Sequence, residues 1–275
     1  MAGRFHRASG SDALKPAIVR LASALLLAGC GGGLPLLHPA QTLGGGELRA
    51  SSGFSANVAT GPFANSLRAA DPSSASDTDA KAALVDASVA PGIAPWVSAR
   101  VGISHRAEGG LTYTGRAARA DVRRSFELSR NWALSLGVGG SAVLDSRQTT
   151  VTRPDFQLGP VSGWGADAPL LAGYSSDGGL YMVWLGIRGG WEQADTTVER
   201  TAQSMPSLTT TARFRVSATR FWGGGLFGAA VGFRHVHVAM EIDASYASVT
   251  GDFGFAHAHV AGLVLTPASA LWWDF

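Results

Sequence analysis

Twelve ionisable side chains stand out for their placement: Arg100, Arg119, Asp121, Arg123, Glu127, Arg188, Arg213, Arg215, Glu241, Asp243, His257 and His259. Arg119 and Asp121 alternate with Ala118, Ala120 and Val122, and Glu241 and Asp243 alternate with Met240 and Ile242. A period of two sends neighbours to opposite faces of a strand. If the apolar faces look outward, the twelve share one narrow interior. Charges confined there persist only as hydrogen-bonded pairs, so the first chemistry implied is a lumen ion-pair network. Every basic residue from Trp96 onward is Arg, and its planar fork suits bidentate pairing with carboxylates.

A metal centre needs three or four converging ligands. His257-Ala258-His259 faces Glu241-Ile242-Asp243 across a hairpin, but a His-x-His pair supplies only two imidazoles, and His235-Val236-His237 falls nearer the opposite end. No metal and no cofactor is expected.

The elements that would position these groups are strands. Leu170 to Glu192 is the clearest hairpin, turning at Ser175-Ser176-Asp177-Gly178-Gly179. Tyr181, Val183, Leu185, Ile187 and Trp191 then fall on one face, and Met182, Trp184, Gly186, Arg188 and Glu192 on the other. An apolar stripe with Tyr at one end and Trp ten positions on suits a tilted strand crossing a bilayer with an aromatic anchor at each interface. Further strands are expected at Trp96 to His105, Arg116 to Leu128, Trp132 to Leu144, Thr211 to Val231, the alternating run from Val236 to Tyr246, and Asp252 to Thr266. In the Thr211 strand, Phe214, Val216, Trp222 and Leu226 are expected to face out and Arg213 and Arg215 in. Long connections, Asp145 to Asp167 and Gln193 to Thr210, separate tight turns. In the last strand, a bulge near Thr266-Pro267 would let Ala256, Ala258, Val260 and Val264 face lipid and turn His257 and His259 inward. Ionisable groups on a lipid face are costly, which favours that register.

The start of the chain is a processing segment rather than part of the fold. Arg4, Arg7, Lys15 and Arg20 precede the apolar run Leu21 to Ala28, which ends in Leu27-Ala28-Gly29-Cys30. Cys30 is the chain's single cysteine, so no intramolecular disulfide is possible. Without Met1 to Gly29, the 22 basic and 20 acidic side chains fall to 18 and 19. The remainder is near neutral and carries no nucleic-acid footprint. From Gly31 to Ala94 the chain is rich in Gly, Ala, Ser and Pro, and all eight Trp and all four Tyr lie from Trp96 onward. Such a stretch buries too little apolar surface to offset its ordering entropy and reads as a flexible tether, with one short helix at Asp79 to Val89.

Leu27-Ala28-Gly29-Cys30 resembles a bacterial lipobox, and the closing Leu271, Trp273 and Phe275 resemble the assembly signal of outer-membrane barrels. With the strand pattern, the chain resembles the small OmpA and OmpX-type barrels of Gram-negative outer membranes. The resemblance implies an all-β fold, an antiparallel transmembrane β-barrel of about eight strands. It divides the chain into a lipoprotein signal peptide (1–29), a tether with an acylated, palmitate-bearing Cys30 (30–94) and a barrel (95–275). It further implies a monomer anchored in the outer membrane through Cys30, with the tether in the periplasm. Its partners would be outer-membrane lipids and the barrel-assembly machinery. The expected role is structural or in surface interaction, through the two long connections, around a charge-plugged lumen. One alternative is a lipid-remodelling enzyme of the lipid A deacylase or acyltransferase type, in which His serves as general base to a Ser nucleophile at the bilayer. No outward Ser stands out beside His257 and His259. The other alternative is a soluble, lipid-tethered barrel that turns its apolar faces inward around a small hydrophobic ligand.

Overall fold

The computed structural model describes residues 32–68, 77–145, 149–150, 156–205 and 208–275. In chain order its strands are β1 (Leu48–Ala59), β2 (Gly92–Ser104), β3 (Ala107–Tyr113), β4 (Ala117–Glu127), β5 (Trp132–Asp145), β6 (Thr149–Thr150), β7 (Phe156–Leu158), β8 (Val161–Ser175), β9 (Tyr181–Met205), β10 (Leu208–Phe233), β11 (Val236–Phe253) and β12 (Ala256–Asp274). Two helices, α1 (Pro62–Arg68) and α2 (Asp77–Ser88), lie between β1 and β2. All strands but β6 and β7 pair antiparallel with their neighbours around the ring, and β12 pairs with β1 to close it. The barrel among the described residues therefore has ten strands, not about eight.

The two additional strands were hidden by small residues. β1 lies in the stretch expected as tether, so the barrel begins at Leu48 rather than at residue 95. Ala50, Ser52 and Ala56 alternate there with Arg49, Ser51 and Ser55, a weak hydrophobic contrast. β3 lies between the expected strands Trp96 to His105 and Arg116 to Leu128, where Gly109-Gly110 interrupts the pattern of Leu111 and Tyr113. Residues 1–31, including the leader and Cys30, lie outside the described residues.

An even strand number brings the barrel's two chain ends together. At this base, the Leu48 amide donates to the Phe275 carbonyl and the Phe275 amide donates back to Leu48, at 3.2 and 2.8 Å. The opposite rim carries α1, α2 and the β9–β10 hairpin. That hairpin outgrows the wall: β8 follows β9 only to Asp195 and β11 follows β10 only from Val216. The ten further residues of β9 and eight of β10, at roughly 3.3 Å apiece, carry it about 25–30 Å along the strand direction beyond the wall. The expected loop Gln193 to Thr210 is thus largely strand, and the end of the expected loop Asp145 to Asp167 belongs to β8.

Side chains are distributed inside out relative to a water-soluble barrel. Val97, Val101, Ile103, Leu111, Val122, Leu136, Val138, Leu185, Ile187, Val238, Met240 and Ile242 are all exposed on the outer wall. Aromatic rings bound this band at both ends. At the base Trp132 meets Tyr174 edge-on at 5.4 Å and Tyr174 stacks on Tyr181; toward the rim Trp164 meets Trp191 at 4.5 Å, with Phe221 and Tyr246 exposed nearby. An apolar belt between two aromatic girdles is the surface of a barrel that spans a bilayer. A soluble barrel would need these faces inside.

Two register expectations are corrected. β11 and β12 pair without interruption past Ile242 and Pro267, so no bulge switches faces. Ala258, Val260 and Val264 are buried in the lumen, while His257 and His259 face outward. Proline is tolerated because the pairing of β12 with β1 steps from Ala268 to Leu265, leaving Pro267 outside that ladder. In β10, Val216, Ala218 and Leu226 face the lumen and Arg213 and Arg215 face out, the reverse of the expected parity.

The outer belt yields a direct test. Ile187→Arg places a charge near the middle of the apolar band and is expected to destabilise the folded barrel by about 2–4 kcal/mol, read as a lower urea midpoint in lipid vesicles. An unchanged midpoint would mean that this face does not meet lipid.

Candidate functional site

The inner wall of β2, β3, β4, β8 and β9 carries a continuous ladder of opposite charges. Arg123 Nε donates to Glu108 at 2.8 Å, and Glu108 also accepts from Arg100 Nε at 2.5 Å. Arg100 reaches Asp121 at 2.6 Å, Asp121 accepts from Arg119 at 2.7 Å, and Asp167 bridges Arg119 and Arg188, each at 2.8 Å. All seven residues are at most 7 % exposed. Glycine makes room for the bulky forks: a Cβ at Gly110 would lie 2.5 Å from an Arg100 nitrogen, and one at Gly139 would lie 2.5 Å from Arg119.

Four arginines against three carboxylates leave donors over, and the amino-terminal segment takes them. Residues 32–44 run through the lumen from the rim, where the Gly32 amide bonds Ala90, to the base, where Gly46 bonds Gly102 and the chain turns into β1. Arg188 donates to the Leu34 carbonyl at 2.7 Å, and Arg123 donates to the carbonyls of Pro39 and Gln41. Glu108 accepts the Leu43 amide at 2.8 Å. Glu241 accepts the amides of Leu36 and Leu37 at 3.0 and 3.1 Å and the indole of Trp184 at 2.9 Å. This grip coincides with a strained turn, because Leu37 has a φ of 44°. An irregular buried segment must find partners for its backbone groups, and here the wall's charges supply them. Leu36, Leu37 and Ala40 also pack on Trp96, Trp184, Leu226 and Trp272. Burying each leucine contributes roughly 1.5–3 kcal/mol.

Toward the rim the filling changes from charge to small apolar groups. α2 buries Ala80, Ala83, Leu84, Val85 and Ala87 against Ala194, Ala218, Ala247, Val249, Ala258 and Val260 of the wall. Its span agrees closely with the helix expected at Asp79 to Val89. Between helix and ladder lies a cavity of about 90 Å³ bordered by Leu34, Asp167, Arg188, Arg220, Trp222 and Asp243. That is room for waters rather than for a hydrophobic ligand, whose sites occupy roughly 300–1,000 Å³. Among the described residues the lumen is a packed interior.

Of the twelve residues singled out in the sequence, Arg100, Arg119, Asp121, Arg123 and Arg188 form ladder steps, Glu241 grips the segment, and Asp243 is buried at the cavity with one carboxylate oxygen unpaired among the described residues. The other five stand elsewhere. Glu127 pairs with Arg106 in the open at the base, and Arg213 and Arg215 pair with Glu199 and Asp195 on the projecting hairpin. His257 bonds Asp252 and His259 bonds Ser248 on the outer wall. Arg49, Glu108 and Asp167 are lumen charges that sequence reasoning missed; the first pairs with Asp274 at 2.5 Å and stacks over Trp272. All three lie in stretches taken for tether or loop. Among the described residues no group of three or more His, Cys, Asp or Glu could hold a metal.

No family model matches the chain, and no curated protein sequence matches it. Similar solved structures include Neisserial surface protein A, at 11% identity and a TM-score of 0.28 over 83% of this chain and 94% of that one. The attachment invasion locus protein Ail of Yersinia pestis gives 10% and 0.27, over 84% and 99%, and the outer membrane protease OmpT of Escherichia coli gives 7% and 0.27, over 84% and 94%. Superpositions this loose carry nothing about what this chain does.

Asp167 holds two arginines, so Asp167→Ala is expected to lower stability by about 3–5 kcal/mol, because it strands buried charge. Glu127→Ala removes only an exposed pair and should cost under about 1 kcal/mol. Equal urea midpoints for the two variants in detergent would remove Asp167 from the ladder.

Proposed function

We propose that this chain is an outer-membrane barrel, lipid-anchored at Cys30 and closed by its own amino-terminal segment, with a structural or surface-interaction role. The observation that carries this reading is the passage of residues 32–44 through the lumen on Arg123, Glu108, Arg188 and Glu241. A lumen filled in this way does not conduct, so function falls to the outer surfaces. The β9–β10 hairpin is the largest of them and presents the exposed pairs Arg213–Glu199 and Arg215–Asp195 to a partner. At the base, Leu271 and Trp273 lie on the outward face of β12 with Phe275 just after it, and we propose these as the signal for the assembly machinery. Below the projecting hairpin the ring closes through the pairing of β12 with β1, which leaves the wall itself no open edge and suits a monomer.

Gly32 lies at the rim end of the lumen and Phe275 at the base.

Unboiled protein extracted from membranes is expected to migrate differently from boiled protein, since a folded membrane barrel resists detergent; identical mobility would refute the spanning barrel. Labelled palmitate should enter the wild type and not Cys30→Ala. Equal labelling of both would refute the anchor while leaving the barrel intact.

A further inference from the structure

The outer wall of β11 and β12 changes character at one height. From the base upward it presents Val238, Met240, Ile242 and Tyr246 on β11, beside Leu265 and Leu263 on β12. Immediately above, the outward positions become Ser248, Thr250 and Asp252, beside His259 and His257. Ser248 is directly across from Phe221 of β10, an exposed ring of the upper girdle. The change therefore falls at the bilayer interface, where acyl esters of a lipid leaflet lie.

At that height Ser248 Oγ and His259 Nε2 are 3.0 Å apart, and both side chains are open to the outside. The second histidine is engaged separately: His257 Nδ1 meets Asp252 at 2.8 Å. An outward serine beside an outward histidine has no part in the lumen network or in closing the barrel. In its Nδ1-protonated tautomer, His259 accepts the serine proton, the relation a nucleophile has to its general base.

We infer that Ser248 and His259 are a nucleophile and base acting on the acyl esters of membrane lipids. Ser248 Oγ attacks the ester carbonyl as His259 Nε2 takes its proton. The tetrahedral intermediate collapses with cleavage of the acyl–oxygen bond, and His259 returns the proton to the leaving alcohol. Water, deprotonated by His259, then releases the fatty acid from Ser248 and restores both groups. No oxidant, reductant or metal is required. The substrate class is an acyl ester held at the interface, in either a glycerophospholipid or an acylated glycolipid.

The test uses the full-length protein in two sets of vesicles, one of phosphatidylethanolamine and one that also contains an acylated glucosamine disaccharide lipid, each with a labelled ester-linked chain. A serine-directed fluorophosphonate reports on the nucleophile itself. The wild type is expected to release fatty acid from at least one set and to take up the fluorophosphonate. Ser248→Ala should abolish both, and His259→Ala should lower release about 10²–10⁴-fold. His257→Ala should leave release near the wild-type rate. The heat-induced mobility shift verifies that each variant is folded. Release confined to one set identifies the lipid. Folded wild type that neither labels nor releases fatty acid overturns the inference, as does full labelling of folded Ser248→Ala.

Discussion

Arg123, Glu108, Arg100, Asp121, Arg119, Asp167 and Arg188 alternate in sign through the lumen, and an arginine terminates the series at each end. The terminal guanidiniums have more donors than the carboxylates can accept, and the carbonyls of Leu34, Pro39 and Gln41 absorb the surplus. Ladder and segment thus need each other. Without the segment, buried arginines would keep unsatisfied donors; without the ladder, an irregular peptide would lie among apolar walls with free backbone groups. Non-helical backbone at membrane depth is tolerated only where protein surrounds it, and this lumen meets that condition.

The filling also accounts for the barrel's size. An eight-stranded wall leaves space for little beyond its own side chains. Ten strands enclose enough room for an extended segment near the base and a helix near the rim. The wall residues follow this division. Where α2 lies, the inner face is mostly small, with Ala194, Ala218, Ala247, Gly251 and Ala258; a Cβ on Gly251 would come within 2.7 Å of Leu84. Where only the thin segment passes, Trp96, Trp184 and Trp272 fill the remaining space.

Strands with strong contrast between faces were legible in the sequence. Tyr181 to Trp191 shows outward Tyr, Val, Leu and Ile against inward Trp and Arg, and the structure keeps that parity. Contrast failed where glycine and alanine serve both faces. In β10, Gly223-Gly224-Gly225 separates Trp222 from Leu226, and the bulky Trp222 leans toward Arg188 and Arg220 in the lumen rather than toward lipid. The amino-terminal segment was the hardest to read. Pro35-Leu36-Leu37-His38-Pro39 sits amid glycines and forms no regular element, so no periodicity marked it. Its apolar cluster was the available signal, and its order comes entirely from the wall around it.

Position relative to the apolar belt separates the ionisable groups into two populations. Inside the wall the ladder charges belong to pairs or backbone partners, and Asp243 borders the small polar cavity, so these groups are fixed in place. Beyond the girdle on the outer surface, solvent and headgroups carry that burden, and a side chain can exchange partners at little cost. Glu192 and Arg220 illustrate the first condition, paired at 3.0 Å on the inner wall near the rim. Ser248, His259, His257 and Asp252 illustrate the second. The lumen charges therefore explain how this chain stays closed. The polar side chains that meet the surroundings rather than the lumen are those that line the outside of β11 and β12, one step above Tyr246.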